Sequence, residues 1–232
     1  RRATTYGLMQ AERFAGGLAA SGITVVSGLA RGIDQAAHRG ALRAGGRTVA
    51  VLGCGLDRHY PPGSGVLKQA VARQGAVVTE YPLGIGPQQY HFPQRNRIIA
   101  GWASGVLVVE AAEGSGSLIT AEFALDEGRE VWALPGHVGV GANTGAHHLI
   151  REGATLVEEP AQMLEDLGWE SSPPAKPVAR SLEPSRQEPL PQGISWEELG
   201  QREGWTPQEI MIRQTQWRRQ RAREGTRVPE GM

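Results

Sequence analysis

Short β-branched runs alternate with segments of helical patterning from the start of this chain to Leu167. The runs fall at residues 23–26, 48–52, 76–79, 106–110, 131–134 and 155–157. Helical patterning occupies residues 9–20, 33–44, 66–74, 95–103, 118–127 and 146–151. An alternation of this kind calls for parallel strands, because each intervening helix carries the chain back to the edge it left. The runs are apolar throughout rather than apolar at every second residue, as expected of strands covered on both faces. The pattern predicts an α/β protein with a doubly wound, mostly parallel sheet. Such a sheet wants a strand before the first helix. The chain opens on Arg1-Arg2-Ala3-Thr4-Thr5-Tyr6-Gly7 with no such run, so a strand is expected to precede Arg1.

Composition narrows the function. Formal net charge is zero, so a general polyelectrolyte grip on nucleic acid is not expected and any anion site must be a local cluster. Lys68 and Lys176 are the only lysines, which leaves arginine to carry the positive charge. That suits planar, bidentate contacts with phosphate, although a GC-rich genome produces the same bias. Cys54 is the single cysteine, so no disulfide forms within the chain, and a reducing, cytoplasmic setting is the expectation. No apolar run reaches the ~18–20 residues that cross a bilayer, so no membrane partner is expected.

Composition shifts to Ser, Pro, Arg and Glu after about residue 169, a linker signature. Residues 194–200 and 206–213 then read as two short helices at helix-turn-helix spacing, with Thr206 as N-cap and Pro207 in the first position. Residues 214–232 are Arg-rich and lack a core pattern. The expected division is a domain over residues 1–168, a linker over 169–192 and a partial helical segment over 193–232.

Several loops follow predicted strands, and these strand ends are where open α/β sheets bind ligands. The first, Ser27-Gly28-Leu29-Ala30-Arg31-Gly32-Ile33-Asp34, ends in a helix start that offers N–H donors to an anion, with Arg31 beside it. The alternative is a tight turn in which Asp34 is a structural acceptor. The second, Glu110 to Thr120, carries Ser117 as an expected N-cap and Thr120 one turn on. Gly53 to Pro61 and Pro135-Gly136-His137 are two more. Residues 91–100 read His-Phe-Pro-Gln-Arg-Asn-Arg-Ile-Ile-Ala, with Pro93 suited to the first helical turn. Arg95 and Arg97 would then stand at the positive end of the helix dipole, an arrangement that makes sense around a bound anion. The alternative is that both pair with local carboxylates. Tyr90, Phe92 and Trp102 lie close in sequence and suit either base stacking or the core.

Enzymatic signals are weak. No metal-binding His spacing, no Gly-x-Ser-x-Gly elbow and no Walker loop occur, and neither a metal nor a cofactor is expected. Glu80, Glu110 and Glu122 are candidate acids, but carboxylates on such a rim also order arginines.

Together these segments resemble the DNA processing protein A family, also called Smf. The resemblance lies in Arg1-Arg2…Tyr6-Gly7, Ser27 to Asp34 with Ala37-His38, Gly55-Leu56-Asp57…Tyr60-Pro61, Phe92-Pro93…Arg95-Asn96-Arg97-Ile98-Ile99-Ala100-Gly101, Ser115 to Ala121, and Pro135-Gly136. It implies an extended Rossmann-like domain that binds single-stranded DNA and delivers it to the RecA recombinase in natural transformation, as a homodimer and without catalysis. By position, the resemblance implies nucleic-acid contacts at Arg1, Ser27, Gly28, Arg31, Gly32, Arg95, Asn96 and Arg97. The residues themselves add Ser117 and Thr120. It also implies a C-terminal winged helix, of which residues 194–213 look like the beginning and residues 214–232 a truncated or altered end. Pro62 stands where such a family can carry a basic residue. Two other functions fit less of the chain: a Rossmann-like nucleotide phosphoribohydrolase using Glu110 or Glu122 with Arg97, and a duplex-DNA regulator acting through the C-terminal helices.

Overall fold

The computed structural model describes residues 3–139, 141–169, 195 and 211. Apart from Trp169, Ser195 and Met211, the expected linker and C-terminal helices lie outside the described residues, as does Arg1. Within them the chain runs α1 (Thr5–Ala20), β1 (Val25–Ser27), α2 (Ile33–Arg43), β2 (Thr48–Val51), α3 (Gly65–Gln74), β3 (Ala76–Val78), α4 (His91–Trp102), β4 (Gly105–Val108), α5 (Gly116–Asp126), β5 (Glu130–Ala133), α6 (Thr144–Arg151), β6 (Thr155–Leu156) and α7 (Pro160–Asp166).

The strands form two three-stranded parallel sheets, β1-β2-β3 and β4-β5-β6. Each is a β-α-β-α-β half of a doubly wound, Rossmann-like fold. Register follows the apolar runs, with Val26 opposite Val49 and Leu107 opposite Trp132. Strand β5 shows why its runs are apolar throughout. Trp132 faces one core with Phe14 and Leu18 of α1 and Met163 of α7, while Val131 and Ala133 face another with Ala121 and Ala124 of α5. Alternate residues of a strand point to opposite faces, so both faces of this sheet are covered. A third cluster packs Leu29, Ala50 and Leu52 against Val71 of α3.

Two elements differ from expectation. Helix α1 begins at Thr5 rather than near residue 9, because Thr4 caps it by accepting from the Gly7 N–H at 3.0 Å. Helix α7 is an element that the periodicity does not predict, although Glu159-Pro160…Gln162 carries a readable start. Gln162 Oε1 accepts from the Glu159 N–H at 2.9 Å, the returning arm of a capping box, and Pro160 sits in the first turn. Trp132 Nε1 donates to Asp166 of α7 at 2.8 Å and ties that helix to β5.

Phe14 is 1% exposed and sits where α1 meets β5 and α7. Phe14→Ala should cost about 3–5 kcal/mol. Urea unfolding should show a lower midpoint with an unchanged slope.

Candidate functional site

In the first half the parallel strands end on a common edge, and α4 ties that edge to the start of α5. Arg95 makes the first link. Its Nη1 donates to Gly28 O, after β1, at 2.7 Å and also to Val51 O at the end of β2. Its Nε donates to Asn96 Oδ1 at 3.1 Å, and Asn96 Nδ2 reaches Gly116 O, at the first residue of α5, at 3.2 Å. One arginine and one asparagine thus join the ends of β1 and β2 to the beginning of α5, which follows β4.

This differs from the expected arrangement. Arg95 is only 4% exposed, so it lies beneath the rim rather than along it. Helix α4 begins at His91, with Pro93 as its third residue, where the missing N–H still costs no helical hydrogen bond. Arg95 and Arg97 therefore sit in the second turn, past the dipole's positive end, and the i, i+4 pair His91 and Arg95 shares the buried face. Burial lowers the Arg95 pKa, with Asp34 acting in the opposite direction. Guanidinium is nevertheless charged at any physiological pH. Arg97 is exposed on the rim, where its Nη2 pairs with Glu80 Oε1. The carboxylate alternative therefore holds for Arg97, whereas Arg95 is satisfied by carbonyls.

The glycine loop is held by Asp34. Its Oδ2 accepts from the N–H groups of Gly28 and Ala30, both at 3.1 Å. Asp34 is thus the structural acceptor that the sequence leaves open as an alternative. Two N–H donors an anion would want are thereby occupied, and what remains is the start of α2 at Gly32 and Ile33 together with the exposed Arg31. Gly32 has φ 101°, a conformation open to glycine but strained for other residues. Gly28 is covered by the Arg95 guanidinium, which leaves no space for a Cβ. Ser27 ends β1 and is partly exposed.

Beyond α4, the α5 loop departs from expectation in its cap. Ser115, not Ser117, is the N-cap; Ser117 is the second helical residue, and their hydroxyls lie 2.9 Å apart. Thr120 is one turn further on and half-buried. Glu110, a candidate acid by sequence, lies just past β4. Both its carboxylate oxygens accept from the Thr4 N–H at 3.2 Å, so it anchors the segment that leads into α1. Sequence reasoning misses Lys68, whose buried Nζ donates to Leu56 O at 2.6 Å and Arg58 O at 2.8 Å and shapes the loop after β2. No local pattern signals that role. Among the described residues no group of three His, Cys, Asp or Glu side chains is placed to hold a metal. Burial raises the Cys54 thiol above its ordinary pKa.

Beneath the loop, Thr48 Oγ1 donates to Val25 O at 2.8 Å and lies 2.7 Å from His38 Nδ1. The hydroxyl proton is committed to the carbonyl, so His38 must donate through Nδ1–H, and its Nε2 has no partner among the described residues. Burial drives the His38 pKa down from 6.5 to about 4, against the raising effect of Asp34.

Comparisons place this arrangement among known proteins. The family model described as DNA recombination-mediator protein A matches residues 1–168. Protein Smf of Escherichia coli strain K12 is 51% identical over 163 residues, which are 70% of this chain and 44% of that protein. The X-ray structure of DNA processing protein A from Streptococcus pneumoniae superposes with a TM-score of 0.66 at 46% identity, covering 70% of this chain and 57% of that one. DNA processing protein A from Helicobacter pylori, solved for its single-stranded DNA binding mode, gives 0.64 at 26% identity, covering 71% and 74%. The chain spans about half the length of the curated relatives it matches.

Arg95→Ala should leave the Gly28 and Val51 carbonyls unpaired and cost about 2–4 kcal/mol in urea unfolding, with Arg95→Lys recovering only part. For His38, the folded pKa of about 4 lies below the unfolded 6.5, so the unfolded state binds the proton first as pH falls. The stability due to the neutral ring is complete above 6.5 and is lost toward pH 4, about 3 kcal/mol over that span. His38→Asn, which keeps a donor at the Nδ1 position, should flatten that part of the stability–pH curve.

Proposed function

This chain belongs to the DNA recombination-mediator protein A family, and we propose from that membership and from its rim that it binds single-stranded DNA without chemically altering it. The observation that carries the reading is the junction made by Arg95 and Asn96. It holds the glycine loop, the end of β2 and the start of α5 on one edge, with Arg31 and Arg97 exposed along it. A phosphodiester backbone follows that edge. Arg31 and Arg97 contact phosphates, Arg97 exchanging Glu80 for the incoming anion. The N–H donors at the start of α2, near Gly32, and the hydroxyls of Ser117 and Thr120 on α5 contribute further contacts. Ser27, Gly28 and Asn96 line the path, and Arg95 acts from below by fixing the loop. Arg1 joins these residues by its position in the opening motif.

Charge supports a local grip. The chain is formally neutral, so its affinity comes from a few placed arginines and falls with salt in proportion to the phosphates engaged. Residues 1–168 form the DNA-binding domain in this reading, residues 169–192 the linker and residues 193–232 a partial winged-helix-like segment. The bound strand is delivered to the RecA recombinase during natural transformation, in the cytoplasm and by a homodimer. Among the described residues no helix is long and apolar enough to cross a membrane.

An Arg31→Ala/Arg97→Ala protein that retains its thermal unfolding midpoint should bind oligo-dT at least about tenfold more weakly. Its log–log salt slope should be shallower by about 0.7 for each phosphate it no longer engages. Fluorescence anisotropy across a salt series measures both. Affinity and slope unchanged from the parent would overturn the assignment.

A further inference from the structure

Two loops beside the rim expose apolar side chains and are bound to each other. The loop after β2 and the loop after β3 are zipped together: the Gly55 N–H donates to Ile85 O at 2.9 Å, the Gly84 N–H to Asp57 Oδ1 at 2.9 Å, and Arg58 Nη2 to Gly84 O at 2.8 Å. Lys68 holds the first loop from beneath through Leu56 O and Arg58 O. The result is a braced ledge. Leu83 is 71% exposed and Tyr90 62%, and Leu56, Tyr60 and Ile85 are exposed as well. Scattered apolar residues on a surface need no explanation. Here five fall within two loops tied by three hydrogen bonds and within the single residue that leads into α4.

Aromatic stacking already organises the ledge's inner margin. Tyr60 stacks on Phe92 of α4 with centroids 5.3 Å apart, and Tyr90 meets His91 edge-on at 4.6 Å. His91 is one helical turn from Arg95, and its Nδ1 lies 3.1 Å from Gly53 O. The ledge is thus continuous with the clamp beneath the proposed phosphate path. Arg97, two turns from Tyr90, stands on the same helix, and Arg58 stands within the ledge. Apolar and aromatic faces interleaved with arginines, at the side of a phosphate track, are what unpaired bases require.

We propose that Leu56, Tyr60, Leu83, Ile85 and Tyr90 form a base-binding ledge that receives unstacked nucleobases of the strand whose phosphates follow the rim. The inference rests on the single-stranded DNA reading and deepens it, because it assigns the strand's bases a place apart from its backbone. Stacking on such a surface is tolerant of sequence, and a duplex, with its bases paired and stacked inside, has none to offer.

The test separates bases from phosphates. Anisotropy on the full chain would compare oligo-dT with an abasic tetrahydrofuran oligomer of equal length, which keeps every phosphate and lacks every base. The parent should prefer oligo-dT by at least about tenfold. Leu83→Ala/Tyr90→Ala, at two exposed positions, should bring oligo-dT affinity near the abasic value and leave abasic binding within about twofold. Equal affinity of the parent for both oligomers would overturn the ledge while leaving the phosphate reading intact. Failure to bind either would end both. A double variant that keeps the parent's preference but sediments at a lower mass would make the ledge an interface between copies of this chain, which also overturns the proposal.

Discussion

A cationic side chain taken out of water is tolerated only where its donors are met, and the edge of this protein is organised around one that is. Arg95 is buried against the carbonyls of Gly28 and Val51 and the side chain of Asn96. Those two carbonyls belong to loop and strand-end backbone that would otherwise face solvent or stand unpaired. Nη1 of the planar guanidinium satisfies both while its Nε donates to Asn96, a combination that a lysine ammonium, a point charge on a flexible stem, reproduces less well. Gly28 has no side chain because the guanidinium occupies that space. The same contact links the glycine loop and the end of β2 to Asn96, which reaches α5.

Charge is arranged on the same principle. Three carboxylates on the edge have partners that set geometry: Asp34 takes two loop N–H groups, Glu80 takes Arg97, and Glu110 takes the backbone and hydroxyl of Thr4. Of these pairs, Arg97–Glu80 is solvent-exposed and accordingly weak.

Much of this is legible in the sequence. Each of the six β-branched runs within the chain is a strand, displaced by no more than a few residues at its ends, because such runs between helical patterns leave few alternatives. The glycine loop, the α5 loop and the 91–100 segment all stand at strand ends or on helix α4, as parallel topology requires. Local departures have local causes. The cap of α5 falls two residues earlier than expected because Ser115 and Ser117 are equally good capping residues in sequence. Helix α7 escapes the periodicity because it is short, although its Glu-Pro-x-Gln start is a recognisable signal. Pro93 suggests the first helical position, but the first turn accommodates proline at its third residue as well, and that shift of two residues carries Arg95 and Arg97 past the dipole's positive end.

The sequence by itself determined the alternation, hence the parallel halves, the common edge and the family, since each depends on residue periodicity or on ordered motifs. Only the tertiary structure decided what each arginine does. Arg95 and Arg97 are two residues apart and chemically identical, yet one is buried against residues 67 and 44 positions away while the other is exposed beside Glu80. Nothing local distinguishes them, because the difference is which face of α4 packs against the ends of β1 and β2. That choice is set by packing between segments far apart in the chain, where sequence periodicity carries no information.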